Sequence, residues 1–231
     1  GSINTTATSV NTTAGFSIST YNGSGSNATV GHGLGIAPKM VIVKERTDSR
    51  SWAVYHESIG NAAKVIYLNQ SVAAGTDAAV WNSTAPTSTV FSVGTANGTN
   101  GSGNTYIAYC FAEIPGYSSF GSYTGNASAD GTFIYTGFKP SFVLMKKYSG
   151  TGQWILYDDA RDPDNVVNKR IYPNTSGAED PHASNDHVDF LSNGFKQRSA
   201  GTYINSAGSY IYMAFAENPF GGDGVAPATA R

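Results

Sequence analysis

Apolar residues in this chain come in short runs, not in stretches with helical periodicity. "KMVIVKE" (39–45) and "SFVLMKK" (141–147) are continuous apolar runs that start just after a proline and end in charge, the pattern of a strand covered on both faces. "SWAVYH", "KVIYLN", "TVFSVG" and "TYIAYCFAE" are further short runs, and so are "QWILYD", "HVDFLSN", "GFKQR" and "SYIYMAFAE". Each is bounded by Gly, Asn, Ser or Asp, which predicts strands separated by turns.

The runs recur in order. Tyr21, Gly35, Pro38, Lys44, Trp52 and Tyr55 lie at one constant spacing from Tyr123, Gly137, Pro140, Lys146, Trp154 and Tyr157. Further on the spacing grows by two residues, setting Phe91 against Phe195, Tyr106 against Tyr210, Phe111 against Phe215, Glu113 against Glu217 and Pro115 against Pro219. The pattern predicts an all-β chain of two tandem, homologous units, with six or seven strands in each. That number suits a β-sandwich of jelly-roll-like type. The expected boundaries are an N-terminal arm or linker over 1–14, repeats over 15–116 and 117–220, and a C-terminal tail over 221–231. The arm, with Ile3, Thr5, Ala7 and Val10, is rich in β-branched residues and poor in apolar ones. It reads either as a linker or as a donor strand that adds to another chain's sheet edge.

Composition supports the fold class and narrows the partners. Glycine (27), tyrosine (14) and phenylalanine (11) are abundant in a chain of 231 residues, as short strands and tight turns require. Charged residues make up 13% and the net charge is −2, so the basic footprint of a nucleic-acid binder is missing. No apolar run of about 18 residues is present to span a bilayer as a helix. The single cysteine, Cys110, excludes an intrachain disulfide and reads as a small buried filler.

Candidate chemistry is sparse. Residues retained in both repeats are most simply explained by the shared fold, so Lys44, Lys146, Glu113 and Glu217 read as strand-end charges or ion pairs before they read as acid–base pairs. "YDDARDPDN" and "AEDPHASNDHVD" are acid-rich but lack the ordered ligand spacing of an EF-hand loop. Turn chemistry accounts for them more simply. His182 and His187 are too little for a zinc site, and "GHGLG" precedes a strand, so it reads as a turn and not as a phosphate cradle. No metal, cofactor or catalytic constellation is expected. Trp81 and Tyr148 lack an aromatic counterpart in the other repeat and, with Asp162 and Asp164, are the candidate ligand-binding residues. Asn-x-Ser/Thr occurs at Asn4, Asn11, Asn22, Asn27, Asn69, Asn82, Asn97, Asn100, Asn126 and Asn174, each a candidate glycosylation site.

"GFSISTYNGSGSNATVGHGLGIAPKMVIVKER", "YIAYCFAEIPGYSSFGSYTGN", "GTFIYTGFKPSFVLMKK", "DFLSNGFKQR" and "YIYMAFAENPFGG" together resemble a domain of unknown function that recurs in phage tail-fibre and other virion structural proteins, especially of aquatic phages. The resemblance implies a structural or adhesive appendage module and brings no catalytic residues. The expectation is a noncatalytic subunit of an extracellular fibre, tail appendage or filament. It would be displayed on a virion or other surface and joined head to tail to copies of itself. The alternative is a lectin-like module that binds host-surface glycan. Neither reading involves nucleic acid or a membrane span.

Overall fold

The computed structural model describes residues 1–181 and 186–217. The chain divides into two compact units. The first holds residues 1–70 and 74–113; the second holds residues 71–73 and the chain from 114 onward. The protein is all-β, built of several sheets, none of them closed into a barrel.

The first unit contains β1 (Thr5–Asn11), β2 (Phe16–Asn22), β3 (Ala28–Gly31), β4 (Met40–Glu45), β5 (Ala53–His56), β6 (Lys64–Tyr67), β7 (Gly75–Thr76), β8 (Val90–Val93) and β9 (Thr105–Phe111). Its main sheet runs β1-β2-β9-β4-β5-β6-β7, and β3 pairs with β8 in a second sheet. Two four-residue helices, α1 (Ala78–Trp81) and α2 (Asn97–Asn100), interrupt the loops. Between the sheets lies an aromatic and aliphatic core that includes Tyr21, Val30, Val41, Val43, Tyr55, Trp81, Phe91 and Tyr106.

The second unit contains β10 (Ser118–Gly125), β11 (Phe133–Tyr135), β12 (Pro140–Lys147), β13 (Trp154–Asp158), β14 (Lys169–Arg170), β15 (Asp180–Pro181), β16 (Val188–Leu191), β17 (Gly194–Gln197) and β18 (Gly208–Ala216). Its sheets are ordered β10-β18-β12-β13, β11-β17-β16 and β14-β15. Tyr123, Ile134, Val143, Met145, Tyr157, Phe195, Ile204 and Tyr210 are among the residues of its core.

The two central sheets share one strand order, β2-β9-β4-β5 in the first and β10-β18-β12-β13 in the second. Their cores carry matching details. Tyr21 stacks on Tyr106 at 5.1 Å and Tyr123 on Tyr210 at 4.9 Å. The Tyr21 hydroxyl donates to Thr99 O at 2.6 Å, and that of Tyr123 to Ile204 O at 2.7 Å. The N–H of Trp52 donates to Asn69 Oδ1 and that of Trp154 to Asn174 Oδ1, both at 3.0 Å. Pro38 and Pro140 are buried at the entry to the apolar strands β4 and β12.

The N-terminal segment departs from a free arm or linker. Main-chain pairing with β2, from Asn11↔Phe16 back to Thr5↔Tyr21, makes it the edge strand β1 of its own unit. Ile3 forms a parallel bridge with Val30 on β3 and packs on the core. Ordering a Thr-rich segment with so little apolar area depends on hydrogen bonds, and hydroxyls supply several. Thr6 Oγ1 meets Thr20 Oγ1 at 2.7 Å, and Thr8 Oγ1 meets Ser19 Oγ at 3.2 Å. The C-terminal tail at 221–231 lies outside the described residues.

Candidate functional site

The acid-rich stretches become loop architecture. Asp158 Oδ2 receives Arg161 Nε at 2.7 Å, and Arg161 also reaches Glu179 at 3.1 Å. Asp159 accepts from the Ser141 hydroxyl at 2.5 Å. Asp162 Oδ2 accepts the N–H groups of Asn168 and Lys169 at 2.8 and 3.2 Å, so its carboxylate staples a turn. Asp164 is exposed on the same loop. Among the described residues no group of three or more His, Cys, Asp and Glu side chains is placed to hold a metal ion; His182 lies outside them.

The four candidate ligand-binding residues are not brought together. Trp81 is 2% exposed and packs edge-on against Tyr55 at 6.2 Å. Its assignment to a binding surface is therefore corrected, because the last residue of α1 turns its indole into the core of the first unit. Tyr148 is half-buried at the start of the β12–β13 loop, whereas Asp162 and Asp164 follow β13. A five-residue strand separates the two ends by roughly 13 Å, so Tyr148 and the aspartates do not share a pocket.

Lys44 and Lys146 do not pair with Glu113 and Glu217. Lys44 Nζ donates to the carbonyls of Glu45 and Asp48 at 2.5 and 3.0 Å, whereas Glu217 pairs with Lys139 at 3.0 Å. Lys146 is fully buried, and its Nζ donates to Lys147 O at 2.6 Å and Ser71 O at 3.3 Å. Burial first, and the Lys147 charge second, push this amine down to about 8. Cys110 is buried and its thiol is pushed up to about 12 by burial, which makes it an inert filler.

Where the first unit sets Trp81 against Tyr55, the second sets a buried ion pair beside Tyr157. Arg170 and Asp186 are both nearly inaccessible and meet at 2.5 Å, and Arg170 also reaches Asp180 at 2.9 Å. The Tyr157 hydroxyl donates to Asp186 O, and Tyr203 N–H reaches Asp186 Oδ1 at 3.3 Å. A Cβ at Gly201 would fall inside the Asp186 carboxylate, so only glycine fits there. The Tyr157 hydroxyl is held well above its ordinary value, by burial first and then by Asp186. A closed, paired site of this kind specifies packing and offers substrate no entry.

The first unit also carries an open cleft of about 270 Å³ lined by Arg50, Ser51, Tyr67, Gln70 and Gly98. Gln70 Nε2 donates to Ser51 Oγ at 2.7 Å. Arg50 is half-exposed, 3.5 Å from Asp48 and 3.8 Å from the buried Glu45, whose Oε1 accepts from Asn104 at 2.7 Å. An aromatic wall with an amide, a hydroxyl and a guanidinium can bind a polyol. It contains no paired acid and base. Sequence reasoning missed the cleft because three separate segments build it.

The glycosylation candidates sort by their hydrogen bonds. Asn100 is fully buried, with Nδ2 donating to Ser26 O and Gly94 O at 2.6 and 2.7 Å and Oδ1 receiving Ser24 N–H at 2.7 Å. No glycan can be attached to it in the fold, and that candidate is corrected. Asn174 Nδ2 is engaged by Gln153 at 2.5 Å and Asn126 Nδ2 by Asp130 O at 3.0 Å. Asn69 Nδ2 lies 3.5 Å from Ser51 Oγ, and Asn82 caps the C-terminus of α1. Asn4, Asn11, Asn22, Asn27 and Asn97 are exposed.

These observations define a class, an all-β protein of two compact units whose charged and polar residues mostly brace loops and strand ends. The chain belongs to the DUF7483 family, a domain of unknown function, whose model matches residues 1–219. One family model thus runs across both units. No curated protein and no solved structure matches the chain.

Proposed function

We propose that this chain is a noncatalytic structural subunit of an extracellular fibre, phage tail appendage or filament, assembled head to tail from copies of itself. With it goes a finer reading of the fold, two tandem homologous β-sandwich units of jelly-roll type that arose by duplication. The shared strand order and the matched tyrosine stacks support that reading.

The observation that carries the assembly reading is the character of β1. Six of its seven residues are exposed, none is charged, and it is held mostly by main-chain and hydroxyl hydrogen bonds. In the ladder with β2, Ala7, Ser9 and Asn11 turn their main-chain groups inward, so those of Thr8 and Val10 point outward and have no partner among the described residues. Sheet edges are ordinarily guarded by Lys, Pro or bulges; β1 has a register shift between Thr5 and Ala7, but beyond it residues 8–11 hold neither Lys nor Pro. An unguarded one is a template for another chain, and exchange of such an element between copies is a low-cost route to assembly. Negative-stain electron microscopy of the purified chain tests the reading. Elongated particles are expected, and discrete globular monomers at every concentration would remove it.

The cleft of Arg50, Ser51, Tyr67 and Gln70 favours a second reading, a lectin-like module for host-surface glycan. Binding on a glycan array that disappears in Tyr67→Ala and Arg50→Ala is its expected signature.

A further inference from the structure

The two units treat one equivalent sheet edge differently. In the first, β3 pairs with β8 through Val30↔Phe91, and His32 N–H donates to Thr89 O. Alternation along the antiparallel ladder turns the main-chain groups of Thr29 away from β8. The N-terminal segment meets them there. Ile3 N–H donates to Thr29 O at 2.9 Å, Ser2 Oγ accepts Thr29 N–H at 2.8 Å, and Ile3 bridges Val30 in parallel.

In the second unit β11 pairs with β17 through Ile134↔Phe195. The register is fixed by Thr136 N–H donating to Asn193 O and Gln197 N–H to Thr132 O, which turns the main-chain groups of Phe133 and Tyr135 outward. Nothing among the described residues pairs with them. Both side chains are exposed, Phe133 at 44% and Tyr135 at 58%, although the Thr–Val–Gly of β3 shows that the edge does not require aromatics. Exposed aromatics beside unpaired backbone mark an acceptor for an extended strand.

We infer that β11 is the acceptor edge for the Ser2–Ile3 segment of a second copy, which adds in parallel as it does to β3 in its own chain. This inference rests on the head-to-tail reading and adds to the outward edge of β1 a further pair of surfaces that would meet. Among the described residues are one such segment and two edges of the kind that it fits. Val30 and Ile134 are both buried, as are their partners Phe91 and Phe195, so Ile3 meets the same kind of apolar neighbour at either edge. Moving the segment exchanges its main-chain-directed hydrogen bonds like for like and gives up those to the Thr29 hydroxyl, which accepts Ser2 N–H at 2.9 Å. Covering Phe133 and Tyr135 adds apolar burial that Thr29 and Gly31 do not offer. No charged side chain on residues 1–11 opposes the transfer.

Disulfide trapping between two full-length single variants, Ser2→Cys and Phe133→Cys, tests the pairing. The native Cys110 is buried and stays silent. Mixed under mild oxidant, the two are expected to form the mixed disulfide at least tenfold faster than Ser2→Cys mixed with Val72→Cys, whose thiol is exposed elsewhere. In parallel, Tyr135→Pro removes an N–H that the β11–β17 ladder does not use; it is expected to keep the thermal unfolding midpoint and lose assembly. Trapping no faster than the control overturns the inference, as does a folded Tyr135→Pro that assembles normally. Filaments that persist in either case leave the head-to-tail reading standing without this contact, whereas absence of any assembly by the unmodified chain counts against that reading itself.

Discussion

Asn100 and Asn205 hold the same place in their two units. Each shares its Nδ2 between two main-chain carbonyls, those of Ser26 and Gly94 for the first and of Ser128 and Ser199 for the second. Each receives a main-chain N–H on Oδ1, from Ser24 and from Asn126. A buried amide that satisfies three backbone groups ties three loops together, and its loss strands those groups away from water. Asn100→Ala and Asn205→Ala are each expected to lower stability by roughly 2–4 kcal/mol, read from urea unfolding midpoints.

Trp81 belongs to the core and not to a binding surface. Trp81→Ala is expected to cost about 3–5 kcal/mol through the cavity left beside Tyr55, whereas Trp81→Phe is expected to cost less. Chemical denaturation followed by circular dichroism measures both. Any glycan affinity of the still-folded Trp81→Phe protein is expected to be unchanged on the same array.

His32 is buried between β3 and β4, with Nδ1 accepting Leu34 N–H at 3.2 Å and Nε2 placed 3.1 Å from Thr87 O. That arrangement suits the neutral ring, and burial lowers its pKa below the ordinary value of 6.5. The unfolded chain therefore takes up a proton that the folded one resists. The contribution is complete above the ordinary histidine range and is lost as the pH falls through it. A His32→Gln variant is expected to show a shallower loss of stability below pH ~6.5 than the unaltered chain, measured by thermal unfolding across a pH series.

Lys146 gives the opposite end of the pH scale. Its amine titrates near 8 in the fold and near ~10.4 in an unfolded chain, so between those values this group adds a rise of stability with pH, set against a fall from Cys110, whose thiol is held at about 12 in the fold and ionises near ~8.5 once unfolded. Below pH 8 the full cost of burying the charge is present. Lys146→Met is expected to be more stable at pH 7, with an advantage over the unaltered chain that shrinks between pH 8 and about 9.5, below the range where tyrosines ionise in the unfolded state. Denaturant midpoints across that range measure it.

The strands that the sequence makes legible are those whose apolar residues are contiguous, β4, β5, β12 and β13 among them. β2 escapes because two of its three inward positions are Ser17 and Ser19, Tyr21 being the third; Ser19 Oγ bonds Gly31 O at 3.2 Å, where the sheets come close. β11 is three residues between turns, too short to show a period. The paired asparagines were hidden twice over. The second unit has one residue fewer between the asparagine and the next core tyrosine (Asn100 to Tyr106, Asn205 to Tyr210), and Asn100-Gly-Ser reads as a glycosylation signal. An aromatic without a counterpart does not mark a surface at Trp81, because the second unit fills the space beside Tyr157 with Arg170 and Asp186.

Sedimentation velocity of the purified chain over a concentration series, beside Thr8→Pro, tests the assembly account most directly. The proline removes an N–H on the outward side of β1 and leaves the β1–β2 ladder paired. The account predicts species that grow with concentration for the unaltered chain and a folded monomer for the variant. A monomer at every concentration for both proteins, or identical growth in both, would contradict it.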